Sequence, residues 1–152
     1  MCGIAGLFYP ATPKPVDPAR IQAMADAQAH RGPDGEGQFT DGPVALGHRR
    51  LSIIDLSDAA HQPMPSADGR LVITYNGEVY NFQELRIDLE AKGHAFRSRG
   101  DSEVLVTALR EWGDAAVSKF NGMFAFAIWD KHEHRLFCAR DRVGEKPFYY
   151  AR

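Results

Sequence analysis

The chain has 152 residues, of which 44% are hydrophobic and 25% are charged, and its formal net charge is -2. This is the size and composition of one globular domain. The charge balance argues against nucleic acid or an anionic membrane surface as a partner, and no apolar run is long enough to cross a membrane. The N-terminus lacks the features of a signal peptide, and two cysteines make no disulfide framework, so we expect a cytoplasmic protein.

The first half of the chain alternates between apolar segments and glycine-rich loops. Asp17-Pro18 is typical of a helix start, because aspartate caps the helix and proline suits its first position. The elements expected here are a strand over residues 2–9, a helix over 18–29, a loop over 31–37, a strand over 44–54 and a loop over 56–69.

The second half is expected to contain two helices and three strands. Asn76-Gly77 is a dipeptide typical of tight turns. Asn81 with Glu84 resembles a capping box at a helix start, and Gly93 is a natural helix stop. The expected elements are a strand over residues 71–75, helices over 82–93 and 102–112, and strands over 123–129 and 135–139.

The segment Phe148-Tyr149-Tyr150 is typical of the beginning of a further strand. No turn or capping sequence follows it before Arg152. We therefore expect the domain to be C-terminally incomplete, as part of a longer protein.

The two cysteines differ in their sequence context. A cysteine near an N-terminus is by default inert, but Cys2 is small enough for methionine aminopeptidase to remove Met1. The freed α-amine, whose ordinary pKa is roughly 7.7–8.0, would then lie on the same residue as the thiol. One residue could supply both nucleophile and general base. Cys138, within an apolar strand, is expected to be a packed core thiol.

Asn76-Gly77 has two interpretations that the sequence leaves open. The first is a hairpin turn, which the dipeptide alone favours. The second is an oxyanion hole, in which the asparagine amide and the glycine N–H point at a developing negative oxygen. Glycine would let that oxygen approach the backbone without a side chain in the way.

Arg50, Glu78 and Asp101 carry charges suited to binding an amino acid. Arg50 could be an ordinary surface arginine, but it opens an apolar stretch that could hold its guanidinium toward a carboxylate. Asp101 is by default a helix N-cap. With Glu78 it could instead bind an ammonium group, which completes the pattern that a free amino acid requires.

Several motifs together resemble a known family. They are CGIAGLF (2–8), HRGPDGEG (30–37), GHRRLSIIDLS (47–57), YNGEVYNFQELR (75–86), GDSEVLV (100–106), NGMFAFAIWD (121–130) and ARDRVGEKPFYY (139–150). In this order they resemble class II glutamine amidotransferases, and most of all the glutaminase domain of glutamine-hydrolysing asparagine synthetases. The resemblance implies an α+β fold, a four-layer αββα sandwich of the N-terminal nucleophile hydrolase type, over residues 1–152.

The resemblance also implies a role for each motif residue. Cys2 matches the nucleophile, and Asn76 and Gly77 match the oxyanion hole. Arg50 matches the residue that binds the α-carboxylate of glutamine. The residues implied to line that pocket are Leu51, Ser52, Ile53 and Ile54, and those implied to bind the α-ammonium are Glu78 and Asp101. Residues 31–35 match a loop near the site. One departure from the family pattern is Glu145, where relatives often carry an apolar residue.

The implied reaction is hydrolysis of L-glutamine to glutamate and ammonia, without a cofactor or metal in this domain. Ammonia would pass to a C-terminal synthetase domain, absent here, that uses ATP and Mg²⁺ to make asparagine from aspartate. Two alternatives stay open: a different ammonia acceptor, and a non-catalytic docking or regulatory module. A homodimer is also left open. His132 and His134 fit a solvated turn better than a metal site.

Overall fold

Two antiparallel sheets and three helices are seen in a computed structural model, which describes residues 1–11 and 14–152. The strands are β1 (Gly3–Phe8), β2 (Gly35–Asp41), β3 (Val44–Arg50), β4 (Met64–Pro65), β5 (Leu71–Val79), β6 (Gly122–Asp130) and β7 (Arg135–Arg140). The helices are α1 (Pro18–Asp26), α2 (Phe82–Ala91) and α3 (Asp101–Trp112), with short 3-10 segments at Ala29–Arg31, Asp58–Ala60 and Gly113–Lys119. Among the described residues, no helix has both the length and the apolar character needed to cross a membrane.

The sheets pack face to face between two helical layers. The smaller sheet has the order β1-β3-β2 and the larger has the order β4-β5-β6-β7. Helix α1 covers the outer face of the smaller sheet through Ile21 and Ala25, while α3, with α2 beside it, covers the outer face of the larger sheet. The predicted four-layer αββα sandwich is confirmed.

Strand β6 shows how the sequence produces two separate cores. Successive side chains of a strand point to opposite faces of its sheet. Every second residue from Phe124 to Ile128 therefore packs toward the helices, while Ala127 and Trp129 pack between the sheets. Both faces are buried, which explains why this segment reads as a continuous apolar run rather than an alternating one.

Asn76-Gly77 lies inside β5, and the turn prediction is wrong. Both residues pair with β6, Asn76 opposite Ala125 and Gly77 opposite Phe124. Glycine is required here because a Cβ on Gly77 would lie 2.1 Å from the carbonyl oxygen of Met123. The dipeptide thus marks a close approach of two strands. The chain leaves β5 only at Tyr80 and Asn81, which connect the strand to α2.

The helix starts also differ in detail from the sequence pattern. The side chain of Asn81 makes no capping bond to α2; its oxygen accepts from the N–H of Asn121 and its amide donates to the carbonyl of Lys119. Asp101 is the first residue of α3 rather than its cap, which is Gly100. The predicted strand over 44–54 ends at Arg50, and the predicted helix over 18–29 ends at Asp26.

Two expectations for the C-terminal part are wrong. Cys138 is exposed on the edge strand β7, because the smaller sheet does not cover it, although neighbouring groups desolvate its sulfur and raise the pKa of its thiol to about 11. Tyr149 and Tyr150 form no strand and are exposed. Glu145 is also exposed, so its charge disturbs no packing. The turn between β6 and β7, with His132 and His134 exposed, is as predicted.

His48 links the two sheets. Its side chain is 1% exposed, and Nε2 lies 3.1 Å from the carbonyl oxygen of Tyr75 on β5. A carbonyl only accepts, so Nε2 carries the proton and donates. Burial lowers the pKa of His48 from 6.5 to about 4, because it disfavours the charged imidazolium.

We predict that this buried histidine makes the protein sensitive to mild acid. Between pH 6.5 and about 4, His48 is protonated in the unfolded chain but stays neutral in the folded protein. The free energy of unfolding therefore falls as the pH drops through this range. The loss is about 1.4 kcal/mol per pH unit, or about 3 kcal/mol in total. Urea unfolding of the wild type and of His48→Gln across this pH range measures the loss of stability.

His48→Gln should lose less stability than the wild type, and His132→Gln, at an exposed position, should behave like the wild type. Parallel losses in wild type and His48→Gln would contradict the prediction.

Candidate active site

One cleft, open at an end of the two sheets, collects every site residue predicted from the sequence. Its walls come from the N-terminus, the end of β3 and the loop after it, the second half of β5, and the start of α3. The predicted residues that line it are Cys2, Arg50, Leu51, Ser52, Ile53, Ile54, Asn76, Gly77, Glu78 and Asp101. The structure therefore places these residues together, and their roles stay predictions.

Pairing of β1 with β3 positions Cys2. Gly3 lies opposite Arg49, which brings the residue before β1 to the end of β3. The Cys2 sulfur is 3.4 Å from the N–H of Leu51, and the Cys2 carbonyl accepts a bond of 3.1 Å from Nε of Arg31. The side chain is half-buried. Arg31 belongs to the predicted loop near the site, and its contact with Cys2 is a feature that sequence reasoning missed.

Asn76 and Glu78 line the opposite wall on β5. Both fall on the face of β5 opposite to that of Tyr75 and Val79, which pack toward the helices. Asn76 is 4% exposed and Glu78 is half-buried. The cleft thus faces a carboxamide and a carboxylate across from the thiol.

Asp101 is held by two hydrogen bonds to the same carboxylate oxygen. The hydroxyl of Tyr75 donates to Oδ2 over 2.6 Å, and the N–H of Val79 donates over 3.1 Å. Burial raises the pKa of Asp101 despite these bonds, and burial together with the neighbouring Asp101 carboxylate raises the pKa of Tyr75 well above 10.0. Tyr75 therefore remains a hydroxyl donor that fixes the carboxylate at the edge of the cleft.

Arg49 and Arg50 point in opposite directions, as neighbours on a strand must. Arg49 forms ion pairs with Asp26 and Glu36 on the α1 side of its sheet. Arg50 is 8% exposed, lines the cleft and donates to the backbone carbonyl of Asp55. Of these two arginines, it is Arg50 that lies where a ligand in the cleft can be bound.

The loop after β3 is fixed from both sides. Asp34 donates its N–H to the carbonyl of Arg50 over 3.0 Å and accepts from the N–H of Ser52 over 2.8 Å. Further on, the carboxylate of Asp55 accepts from the N–H of Arg99 over 2.7 Å, and this bond, together with bonds from Ser57, lowers the pKa of Asp55 to about 2. Ile53 remains 70% exposed, so this wall of the cleft faces solvent.

Other cleft residues were given no site role by the sequence reasoning. Lys146 is the clearest case, since its motif GEKPFYY was noticed but no function was assigned to it. A lysine directly before the apolar residues Pro147 and Phe148 in such a motif is the signal that could have found it. The remaining members of this group are Met1, His48, Asp55, Ala60, Gln62, Tyr75, Gly100, Ser102 and Met123. Within the described residues, no cluster of three His, Cys, Asp or Glu side chains could hold a metal ion.

Comparisons with known proteins agree with this geometry. Residues 1–152 match the family described as a glutamine amidotransferase domain. Asparagine synthetase [glutamine-hydrolyzing] 1 of Bacillus subtilis is 45% identical over 99% of this chain and 24% of its own length. Asparagine synthetase [glutamine-hydrolyzing] 3 of the same organism is 39% identical over 100% of this chain and 25% of its own length.

A solved structure extends the likeness to the fold. The glutamine phosphoribosylpyrophosphate amidotransferase of B. subtilis, complexed with ADP and GMP, aligns with a TM-score of 0.54 and 26% identity. The alignment covers 67% of this chain and 24% of that one. The chain spans about a quarter of the length of the curated relatives named above. On its sequence, its αββα sandwich and the match along its whole length, the chain belongs to the glutamine amidotransferase domain family.

Proposed function

We propose that the domain hydrolyses the side-chain amide of L-glutamine to glutamate and ammonia, with Cys2 as the nucleophile after Met1 is removed. The observation that carries this proposal is the composition of the cleft, in which the Cys2 thiol shares the lining with Asn76 and with side chains of both charges. Membership of the glutamine amidotransferase family supports the choice of substrate.

The charged groups of the cleft are complementary to a free amino acid. Arg50 on one wall can donate in two prongs to an α-carboxylate. Glu78 and Asp101 on the other side can accept from an α-ammonium group. A glutamine held by both ends would present its side-chain amide toward Cys2. Leu51, Ser52, Ile53 and Ile54 would line the carboxylate side, as the family resemblance implies.

The proposed reaction passes through a thioester. The Cys2 thiol attacks the side-chain carbonyl carbon, and its proton moves to the α-amine of the same residue, directly or through water. Asn76 and the N–H of Gly77 would stabilise the oxyanion. The C–N bond then breaks, the nitrogen takes up a proton and leaves as ammonia, and water hydrolyses the thioester to glutamate. In the unprocessed chain, Cys2 carries an amide nitrogen that is no base, so removal of Met1 is required.

The fate of the ammonia is a separate proposal. The two curated relatives are asparagine synthetases about four times as long as this chain, so a C-terminal synthetase domain that uses ATP and Mg²⁺ to amidate aspartate is the favoured acceptor. The domain would then be one part of a longer protein. The alternative of a different acceptor has weaker support, because the phosphoribosylpyrophosphate amidotransferase named above shares the fold at only 26% identity over 67% of this chain.

Cys2→Ala should abolish glutamine hydrolysis and leave the fold intact, because it removes a half-buried sulfur and little packing. Glutamate release by the processed protein is measured beside thermal melting, with intact mass to verify loss of Met1. Cys138→Ala is the matched control and should keep full activity, since Cys138 lies outside the cleft. Retention of about a tenth of wild-type turnover by Cys2→Ala would rule out Cys2 as the nucleophile, because far less activity is expected without a nucleophile. No glutamate release by the processed wild type would instead favour the non-catalytic module.

Asn76→Ala should lower kcat by about 10²–10³-fold with a much smaller change in KM, because an oxyanion donor acts mainly in the transition state. Asn76 lies within β5, so some stability will also be lost. Steady-state kinetics are therefore normalised to the folded fraction from circular dichroism. A kcat near wild type per folded molecule would remove Asn76 from the chemistry.

Arg50→Lys should raise the KM for glutamine about tenfold, although the charge is kept, because lysine cannot reproduce a two-pronged bond that is worth roughly 1.5–3 kcal/mol. Arg49→Lys is the matched control next in sequence. Its side chain pairs with Asp26 and Glu36 away from the cleft, so KM should stay unchanged. Equal KM values in the two variants would rule out the carboxylate role of Arg50.

A further inference from the structure

Lys146 lies in the cleft because the turn that precedes it is held by hydrogen bonds to one carboxylate, that of Asp141. Asp141, directly after β7, accepts bonds from the N–H groups of Glu145 (2.8 Å), Lys146 (2.9 Å) and, on β6, Phe124 (3.2 Å). Burial alone would raise the pKa of Asp141, but these bonds outweigh it and hold the pKa below its ordinary value. The turn is thus fastened to the larger sheet, and Lys146 enters the cleft from a fixed backbone.

The side chain of Lys146 is buried against two sulfur atoms. Lys146 is 5% exposed, and Nζ lies 2.9 Å from the sulfur of Met1 and 3.0 Å from the sulfur of Met123. In the part of the chain that the structure describes, no carboxylate oxygen lies within 4.0 Å of Nζ. Thioethers are weak acceptors. A buried ammonium that is compensated so poorly costs stability, so its presence calls for another explanation.

The position of Met1 relates Lys146 to the nucleophile. The sulfur of Met1 is only a few covalent bonds from the nitrogen of Cys2, and both residues line the same cleft as Lys146. When Met1 is removed, Nζ loses one of its two sulfur contacts. The α-amine of Cys2 appears at the bond that held Met1, on the same side of the cleft.

We propose that Lys146 is a positioning residue for the Cys2 nucleophile: its ammonium disfavours protonation of the Cys2 α-amine and so keeps that amine unprotonated at neutral pH. This inference rests on the proposed function of Cys2. A nearby positive charge always disfavours a second one, most strongly where water is excluded. The unprotonated amine can then accept the proton of the thiol.

Other charged groups of the cleft also affect the protonation of the Cys2 α-amine. The effect of Lys146 has to be considered together with theirs. The three acids of the cleft, Asp55, Glu78 and Asp101, favour the protonated amine, which cannot accept the proton of the thiol. The ammonium of Lys146 acts with the opposite sign, as do the guanidinium groups of Arg31 and Arg50. The other charged and titratable groups of this region come from every neighbouring element. They are Arg31 in the 3-10 segment before β2, His48 and Arg50 on β3, Asp55 in the loop after β3, Tyr75 and Glu78 on β5, Asp101 on α3, and the Cys2 thiol itself.

The test is the pH profile of kcat/KM for glutamine hydrolysis by the processed protein. Lys146→Met replaces the lysine with a neutral side chain of similar length, and it should move the acid limb of the profile upward by about one unit. Activity on the acid limb should fall about tenfold relative to wild type, with the two profiles converging above the limb. Lys146→Arg keeps the charge and should keep the limb near its wild-type position. Lys92→Met removes an exposed charge paired with Glu111, outside the cleft, and should leave the profile unchanged.

A uniform loss of activity in Lys146→Met with an unmoved acid limb would show a structural role and overturn the proposal. An equal shift in Lys92→Met would overturn it too, because general loss of charge would then be the cause. If Lys146→Met does not fold, Lys146→Gln tests the same loss of charge with a polar side chain. Cys2→Ala separates the two proposals: an active Cys2→Ala refutes the function of Cys2, whereas an inactive Cys2→Ala with an unmoved limb in Lys146→Met refutes only the role of Lys146.

Discussion

The antiparallel pairing of β1 with the central strand β3 is the interaction on which the candidate site depends. Gly3 lies opposite Arg49, so the thiol of Cys2 comes to rest beside the N–H of Leu51 just beyond the end of β3. A shift of this register by one residue would turn every side chain of β1 to the other face. The N-terminus is therefore a fixed part of the sheet edge, although chain termini are commonly loose.

Sheet packing then brings the second wall of the cleft to the thiol. The bond from His48 to the carbonyl of Tyr75 links β3 to β5 in the buried space between the sheets. Beyond it, Asn76 and Glu78 face the cleft while Tyr75 points the other way and holds Asp101. The same alternation that forms two hydrophobic cores thus distributes polar groups at the end of the sandwich.

The sequence predicted the elements that local hydrophobic periodicity determines. It did not predict features that depend on a residue or strand far away in the chain. The helix over 102–112 and the strand over 123–129 follow from local periodicity and agree with α3 and β6. The turn prediction for Asn76-Gly77 was wrong because the glycine is needed for close approach to β6. That strand lies far along the chain, so the sequence around the dipeptide does not show it. Asn81 misled in the same way, since its side chain serves Lys119 and Asn121 instead of its own helix.

Prediction of the site depended on the family resemblance more than on any single residue. Arg50 could not be separated from Arg49 by composition, and strand alternation alone decides which one faces the cleft. Cys138 was misjudged because an apolar segment does not reveal that its strand lies at the edge of a sheet. Lys146 was missed because its significance is that no carboxylate among the described residues pairs with it, and this is visible only in the three-dimensional structure.

The central claim, that Cys2 is the nucleophile of a glutamine-shaped cleft, is tested most directly by covalent labelling. A glutamine analogue with an electrophilic group at the end of its side chain is incubated with the processed protein, and the labelled peptide is identified by mass. We predict one adduct, on Cys2, whose formation is slowed by excess glutamine and is absent from chains that retain Met1. An adduct on the exposed Cys138 instead, or labelling of Cys2 that glutamine does not slow, would contradict the account.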